Sequence, residues 1–274
     1  MFDYDSAALL DLEVLSEHLQ GNIPIQDITY ASPKGGKVTA YLIIPSGSGP
    51  FAGVIFVHWG QGNRDEFVDE ALVLADMGTV SLLIDAPIVR PQPWTAPSNT
   101  PEELRESDIQ LVIDTLRGVD LLLARPDVDQ QRLGYVGHSL GATKGGIVAG
   151  IEKRVRAYVL MAGLPSVADY FRVSTHPYIV EMRATTPIEE MERFCELMEP
   201  LDAIHYVGHA APAALFFQFA HHDEFITVRD AHWYEQAASE PKLTRWYDTD
   251  HQFNAEARHD RIEWFCAQLG LKPL

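Results

Sequence analysis

Arg132-Leu133-Gly134-Tyr135-Val136 is a short apolar run of strand type, and it leads without a break into Gly137-His138-Ser139-Leu140-Gly141, a G-x-S-x-G pattern. The small-residue segment Ala142-Thr143-Lys144-Gly145-Gly146-Ile147-Val148-Ala149-Gly150 follows directly. A buried strand, a tight turn at a serine and a helix form the context in which this pattern presents a nucleophile, with the backbone strained and the side chain lifted from the strand end. Glycines two residues before and two after the serine let strand and helix close on each other. The turn leaves the Leu140 N–H unpaired at a helix N-terminus, where partial positive charge stabilises a developing oxyanion. Ser139 is therefore the candidate nucleophile.

Outward from this centre, continuous apolar runs alternate with helical spacing, the signature of crossover connections and a mainly parallel sheet covered on both faces. The runs are Phe51 to His58, Thr79 to Asp85, Arg132 to Gly137, Val155 to Met161, Ala214 to Phe219 and Leu243 to Tyr247. Two more strand-like runs, near residues 25 to 31 and 37 to 45, flank the turn Pro33-Lys34-Gly35-Gly36 as a hairpin. Eight strands are thus expected. Helical spacing joins Phe67, Ala71, Leu72, Leu74 and Ala75, then Ile109, Val112, Ile113, Leu116, Val119 and Leu123, then Ile262, Phe265, Cys266 and Leu269. Leu9, Leu10, Leu12, Val14, Leu15 and Leu19 give an N-terminal helical expectation as well.

Two stretches break the alternation. Residues 86 to 101 hold five of the 17 prolines and read as an irregular excursion. Residues from about 164 to 212 separate two strands by more than a crossover needs, and Ile188, Met191, Phe194, Cys195 and Met198 mark one helical face inside them. They read as a small helical cap on a single domain spanning residues 1–274.

A serine hydroxyl needs a base, and the base an orienting acid, at later strand ends. Ala220-His221-His222-Asp223-Glu224 follows one strand and Asp248-Thr249-Asp250-His251-Gln252-Phe253 follows the last, giving the chain order Ser139, Asp223, His251. Glu224, Asp248 and Asp250 compete for the role of the acid, with Asp223 favoured by its place nearest the strand end. Adjacent His221 and His222 diverge in an extended loop and have no evident third ligand, so no metal site is expected. The loop His58-Trp59-Gly60-Gln61-Gly62-Asn63-Arg64 after the first central strand should supply the second oxyanion N–H. Trp59, Trp94 and Phe171, with Tyr170 and Tyr178, are the aromatics that could wall a substrate site.

These residues resemble the α/β-hydrolase superfamily over roughly residues 25 to 270. The hairpin, the His58-Trp59-Gly60 loop, the Ser139 elbow, the Asp223 loop and the Asp250-His251-Gln252-Phe253 ending resemble the dienelactone hydrolase and acetyl-esterase group. The resemblance implies an α/β-hydrolase fold and Leu140 with Gly60 or Trp59 as oxyanion donors, Gly60 being the usual family position. Dienelactone hydrolases proper carry a cysteine nucleophile, so Ser139 points to simple ester hydrolysis. Trp59 stands where relatives often have glycine, and Asp250 replaces the glycine common before the catalytic histidine.

Composition narrows the partners. Lys and Arg number 21 against 39 Asp and Glu, a formal charge of −18 with no basic cluster, which disfavours nucleic acid and anionic membrane surfaces and makes neutral small-molecule esters the expected substrates. Cys195 and Cys266 form no C-x-x-C pair and read as packed free thiols. The opening residues lack a basic region before an apolar run, and no apolar stretch approaches the ~18 residues that span a bilayer, so a cytoplasmic location is expected. The expected function is a cofactor-free serine carboxylesterase. Its rivals are a peptidase or thioesterase using the same triad, or a binding protein retaining the fold.

Overall fold

Every residue of Phe51-Ala52-Gly53-Val54-Ile55-Phe56-Val57 is buried. Alternate side chains of this strand enter two different cores: Ile55 and Val57 one, Ala52, Val54 and Phe56 the other. That two-sided burial is why the run is continuously apolar. A computed structural model describes residues 1–272 and places this strand inside one nine-stranded sheet.

The strands are β1 (Glu13–Gln20), β2 (Ile23–Ala31), β3 (Lys37–Ile43), β4 (Phe51–Val57), β5 (Thr79–Ile84), β6 (Val128–His138), β7 (Ala157–Met161), β8 (Ala214–Ala220) and β9 (Lys242–Tyr247). Their spatial order is β1-β2-β3-β5-β4-β6-β7-β8-β9. The first three meet antiparallel, β3 meets β5 antiparallel, and β5 through β9 are parallel. The helices are α1 (Val68–Asp76), α2 (Pro101–Ala124), α3 (Leu140–Ile151), α4 (Val167–Val173), α5 (Pro177–Thr185), α6 (Ile188–Met198), α7 (Val228–Ala237) and α8 (Ala255–Leu269). One face of the sheet packs on α2, α3 and α7 through residues such as Val112, Val119, Val148 and Tyr234. The other packs on α1 and α8 through Ala71, Leu74, Phe265 and Leu269.

All eight expected strands are present, and β1 is a ninth. The N-terminal segment forms this exposed edge strand in place of the expected helix. Its register on β2 shifts between Val14 and Ser16, which leaves Leu15 as a bulge. The bulge disrupts the period-two alternation and leaves leucine spacings that imitate a helix. Helix α2 begins at Pro101, at the end of the proline-rich stretch. Thr100 Oγ1 accepts from Glu103 N–H, and a Glu103 carboxylate oxygen accepts from Thr100 N–H. Such a reciprocal cap contributes about 0.5–2 kcal/mol and fixes where the excursion stops.

Between β7 and β8 stand α4, α5 and α6, followed by single 3₁₀ turns. Ala168, Met191 and Cys195 form a small core of their own, with Phe171, Met182 and Phe194 against it. Ile188, placed by spacing on the apolar face of α6, is 73 % exposed, one turn short of that core. Among the described residues no helix is long and apolar enough to cross a membrane.

Candidate active site

The parallel strands end on one side of the sheet, and that edge gathers His58 after β4, Asp85 after β5, Ser139 after β6, Asp223 after β8 and His251 after β9. Crevices at the carboxyl ends of parallel strands are where open α/β sheets bind ligands.

Ser139 has φ 51° and ψ −102°, a strained left-handed conformation for a residue with a side chain. Its N–H donates to the Met161 carbonyl at 2.8 Å, and its own carbonyl accepts from Thr143 N–H at 2.8 Å and Thr143 Oγ1 at 2.9 Å. The flanking glycines are required by contact. A Cβ on Gly137 would lie 2.4 Å from the Gly141 backbone, and one on Gly141 would lie 2.1 Å from the Val57 carbonyl oxygen. Leu140 is the first residue of α3, so its N–H has no acceptor one turn back.

Gly141 N–H donates to the His58 carbonyl at 3.2 Å, which docks the His58-Trp59-Gly60 loop on the elbow. Trp59 N–H donates to Glu66 Oε2 at 2.8 Å. That bond commits the Trp59 amide to Glu66, whereas the Gly60 N–H has no acceptor among the described residues. A Cβ on Gly60 would meet nothing within 4 Å, so its surroundings are open.

Asp223 is the acid brought to His251. His251 Nδ1–H donates to Asp223 Oδ2 at 2.8 Å, and Asp223 Oδ1 accepts from Phe225 N–H at 2.8 Å and Ile226 N–H at 2.9 Å. Both side chains are almost fully buried. This bond fixes the tautomer and leaves His251 Nε2 with a free lone pair. Among the described residues none of the three competitors bonds His251. Asp248 pairs with His222 at 2.7 Å, Asp250 accepts from Gln252 N–H at 3.0 Å, and Glu224 lines the open cavity. His221 stacks on Trp246 and so diverges from His222. Ser139 and His251 are joined through His138, whose ring lies 5.0 Å from that of His251. Among the described residues the Ser139 hydroxyl makes no hydrogen bond to His251, a separation common before substrate binds.

A cavity of about 340 Å³ opens beside His251, lined by Trp59, Gln61, His222, Glu224, Phe225 and Asp250 among others. Of the aromatics expected to wall a substrate site, Trp59 is the one that lines this cavity. Trp94 lies instead against Gly36 in the β2–β3 turn. Phe171 packs edge-on to Phe194 at 4.7 Å and lines a separate apolar cavity with Leu104, Met182 and Met191. The insertion reaches the site at His176, which stacks on Phe225 at 4.8 Å, and Phe225 meets His251 edge-on at 4.8 Å.

No protein-family model matches the chain. Among solved structures, acetyl xylan esterase from Paenibacillus sp. R4 superposes with a TM-score of 0.82 at 19 % identity, covering 96 % of this chain and 90 % of that one. Acetyl xylan esterase 1 from Thermoanaerobacterium sp. JW/SL YS485 gives 0.81 at 17 %, covering 97 % and 90 %, and the α/β hydrolase GrgF from Penicillium sp. sh18 gives 0.68 at 14 %, covering 90 % and 99 %. The chain has the α/β-hydrolase fold. Among curated proteins, mouse bile acid-CoA:amino acid N-acyltransferase is 29 % identical over 161 residues, 59 % of this chain and 34 % of that protein. Rat acyl-coenzyme A amino acid N-acyltransferase 2 is 30 % identical over 135 residues, 49 % of this chain and 29 % of that protein. The match thus spans about a third of these relatives' length.

Within this α/β-hydrolase fold, His58, His138 and Glu66 hold the site together in ways that residue type and spacing do not mark. His58 is buried, its Nε2 accepts from Ala86 N–H at 2.9 Å, and its Nδ1–H therefore donates to the Trp59 carbonyl at 2.6 Å. Burial pushes its pKa down, which keeps the ring neutral and that pattern intact. His138, the variable residue of the G-x-S-x-G pattern, bonds Glu66 at 2.6 Å and the His251 carbonyl at 2.8 Å. His58 and His138 stand beside the glycine-bearing motifs quoted above, whereas nothing in the sequence around Glu66 marks it.

Proposed function

We propose that the chain is a serine esterase that hydrolyses small neutral carboxylic esters through an acyl-enzyme. Ser139 attacks the ester carbonyl carbon, His251 Nε2 takes the hydroxyl proton, and Asp223 holds the ring in the accepting tautomer. The Leu140 and Gly60 N–H groups receive the developing oxyanion. His251 returns its proton to the departing alkoxide, and a water activated by the same nitrogen then releases the acid. The observation that carries this reading is the His251 Nδ1 to Asp223 Oδ2 bond, 2.8 Å long, beside a strained serine at a glycine-flanked elbow. The acetyl xylan esterases of similar fold support ester cleavage as the reaction class.

The cavity beside His251, which Ser139 itself does not line, favours a neutral substrate by its charge. Its charged lining residues are Glu224 and Asp250. Arg64 pairs with Asp27 at 2.7 Å, Arg90 with Asp114 at 2.7 Å and Arg172 with Glu192 at 3.1 Å, so each is neutralised by a carboxylate. Transfer from an acyl-coenzyme A, suggested by the curated relatives, is the second reading. It brings a polyphosphate toward that acidic mouth, which the electrostatics oppose. Turnover of acetyl, butyryl, lactone and acyl-coenzyme A substrates by the wild type and Ser139→Ala decides between them. Serine-dependent cleavage of short neutral esters above thioesters supports the esterase, and preference for the thioester with transfer to an amine overturns it.

A further inference from the structure

Three polar contacts join the elbow, the oxyanion loop and the His251 loop without taking part in the proton transfers above. His138 Nε2 lies 2.8 Å from the His251 carbonyl oxygen. A carbonyl only accepts, so Nε2 carries a hydrogen. His138 Nδ1 lies 2.6 Å from Glu66 Oε1, and Glu66 Oε2 accepts from Trp59 N–H at 2.8 Å. With Nε2 protonated, the Nδ1 to Oε1 contact needs one further proton, because two lone pairs facing at that distance repel. The pair therefore shares a proton, either as imidazolium with carboxylate or as imidazole with carboxylic acid. Trp59 stacks on the His138 ring at 5.9 Å and 11°, and Phe253 meets it edge-on at 5.7 Å, so the ring is held from several sides. The His138 side chain is 3 % exposed.

We propose that His138 and Glu66 are positioning residues that fix the His251 backbone and the Trp59–Gly60 loop in one frame around Ser139. The role of these contacts in turnover rests on the esterase reading above. Base and oxyanion donor follow β9 and β4, far apart in the chain; the Trp59 and His251 rings lie 6.2 Å apart, and among the described residues no hydrogen bond joins the two loops directly. His138, one residue before the nucleophile, reaches the base's loop with one nitrogen. Its other nitrogen reaches the oxyanion loop through Glu66. A displacement of about 1 Å in either loop degrades the attack geometry more than it weakens ground-state binding, so it acts on kcat more than on KM.

The test exploits donor and acceptor matching. In Glu66→Gln the amide N–H donates to Nδ1 of a neutral His138 and the amide oxygen keeps Trp59 N–H, so every contact survives. In His138→Gln the amide N–H can keep the His251 carbonyl, but its oxygen then faces the Glu66 carboxylate. Combining the two changes places a donor opposite every acceptor again. On 4-nitrophenyl acetate, kcat of His138→Gln should fall about 10- to 100-fold with KM within about twofold. Glu66→Gln should stay within about threefold of wild type, and the double variant should recover most of the loss. Wild-type kcat in His138→Gln, or a folded double variant no better than it, overturns the proposal. If His138→Gln does not fold, Glu66→Leu against Glu66→Gln replaces it: loss in Leu alone supports the clamp, and equal behaviour refutes it. Amide exchange at Trp59 and Gly60 reads the clamp without turnover and should rise in His138→Gln. A wild type that cleaves no ester while those amides loosen in the variant removes the esterase reading and keeps the clamp. An active wild type matched by His138→Gln in kcat and exchange removes the clamp alone.

Discussion

Replacing Gly141 by alanine tests the contact on which the elbow depends. The new Cβ would stand 2.1 Å from the Val57 carbonyl oxygen and 2.8 Å from its carbon, both backbone atoms of the central strand β4. A side-chain rotation cannot relieve the clash, so α3 must withdraw from β4 by roughly 1 Å to reach a tolerable carbon–oxygen contact. That withdrawal stretches the 3.2 Å bond from Gly141 N–H to the His58 carbonyl, which aligns the oxyanion loop with Ser139. Overpacking of this kind destabilises by about 1–3 kcal/mol, and a weakened hydrogen bond adds about 1 kcal/mol. For a chain of 274 residues the sum, about 2–4 kcal/mol, lowers Tm by roughly 3–7 °C. An error of about 1 Å between nucleophile and oxyanion donor lowers kcat/KM about 100-fold. Calorimetry and steady-state hydrolysis of 4-nitrophenyl acetate measure the two effects, with Gly60→Ala as the control because a Cβ there meets nothing within 4 Å. A Gly141→Ala protein with wild-type Tm and kcat/KM would refute the argument that strand and helix touch here.

Three further outcomes follow from the geometry. Asp223→Asn presents an amide N–H to His251 Nδ1, forces the hydrogen onto Nε2 and should lower kcat about 10³- to 10⁴-fold with Tm little changed; a loss under tenfold contradicts the tautomer assignment. Gly60→Ala keeps its N–H and should retain activity, whereas Gly60→Pro removes the donor and should lose about 10²- to 10³-fold; equal activity of the two would exclude this amide from the oxyanion hole. His58 binds a proton less readily when folded than when unfolded, where imidazole titrates near pH ~6.5. Below that pH the unfolded chain holds more protons, so His58 contributes stability that is present above pH ~6.5 and lost progressively as pH falls toward the lower folded value. An NMR titration of its ring should give a midpoint below ~6.5, and a midpoint at or above it contradicts the neutral, Ala86-bonded form.

The parallel core was legible because burial on both faces writes itself into β4 to β8 as unbroken apolar runs, and the elbow because its glycines are forced by backbone contact. The carboxylate that meets His251 was legible as a choice among four, with Asp223 favoured by its place nearest the strand end; the turn that points Asp223 inward, with Phe225 and Ile226 N–H on its other oxygen, is what separates it from Glu224 in space. The sequence of edge strand β1 imitates a helix because a bulge at Leu15 breaks alternation where both faces are exposed and no core enforces a pattern. His138 and Glu66 were invisible for another reason. Their contact joins positions 72 apart, and neither residue type nor spacing in sequence marks a bond formed only when two strand ends converge. The aromatics Trp94 and Phe171 carried no directional signal, so their assignment to turn and insertion core needed coordinates.

The central claim is that Ser139 is an activated nucleophile. Labelling the wild type with a fluorophosphonate, then locating the added mass by peptide mapping, tests it most directly. One stoichiometric adduct on Ser139 is expected, abolished in Ser139→Ala and slowed in Asp223→Asn. Adduct formation that persists in Ser139→Ala, or a wild type that never labels while hydrolysing esters, would contradict it.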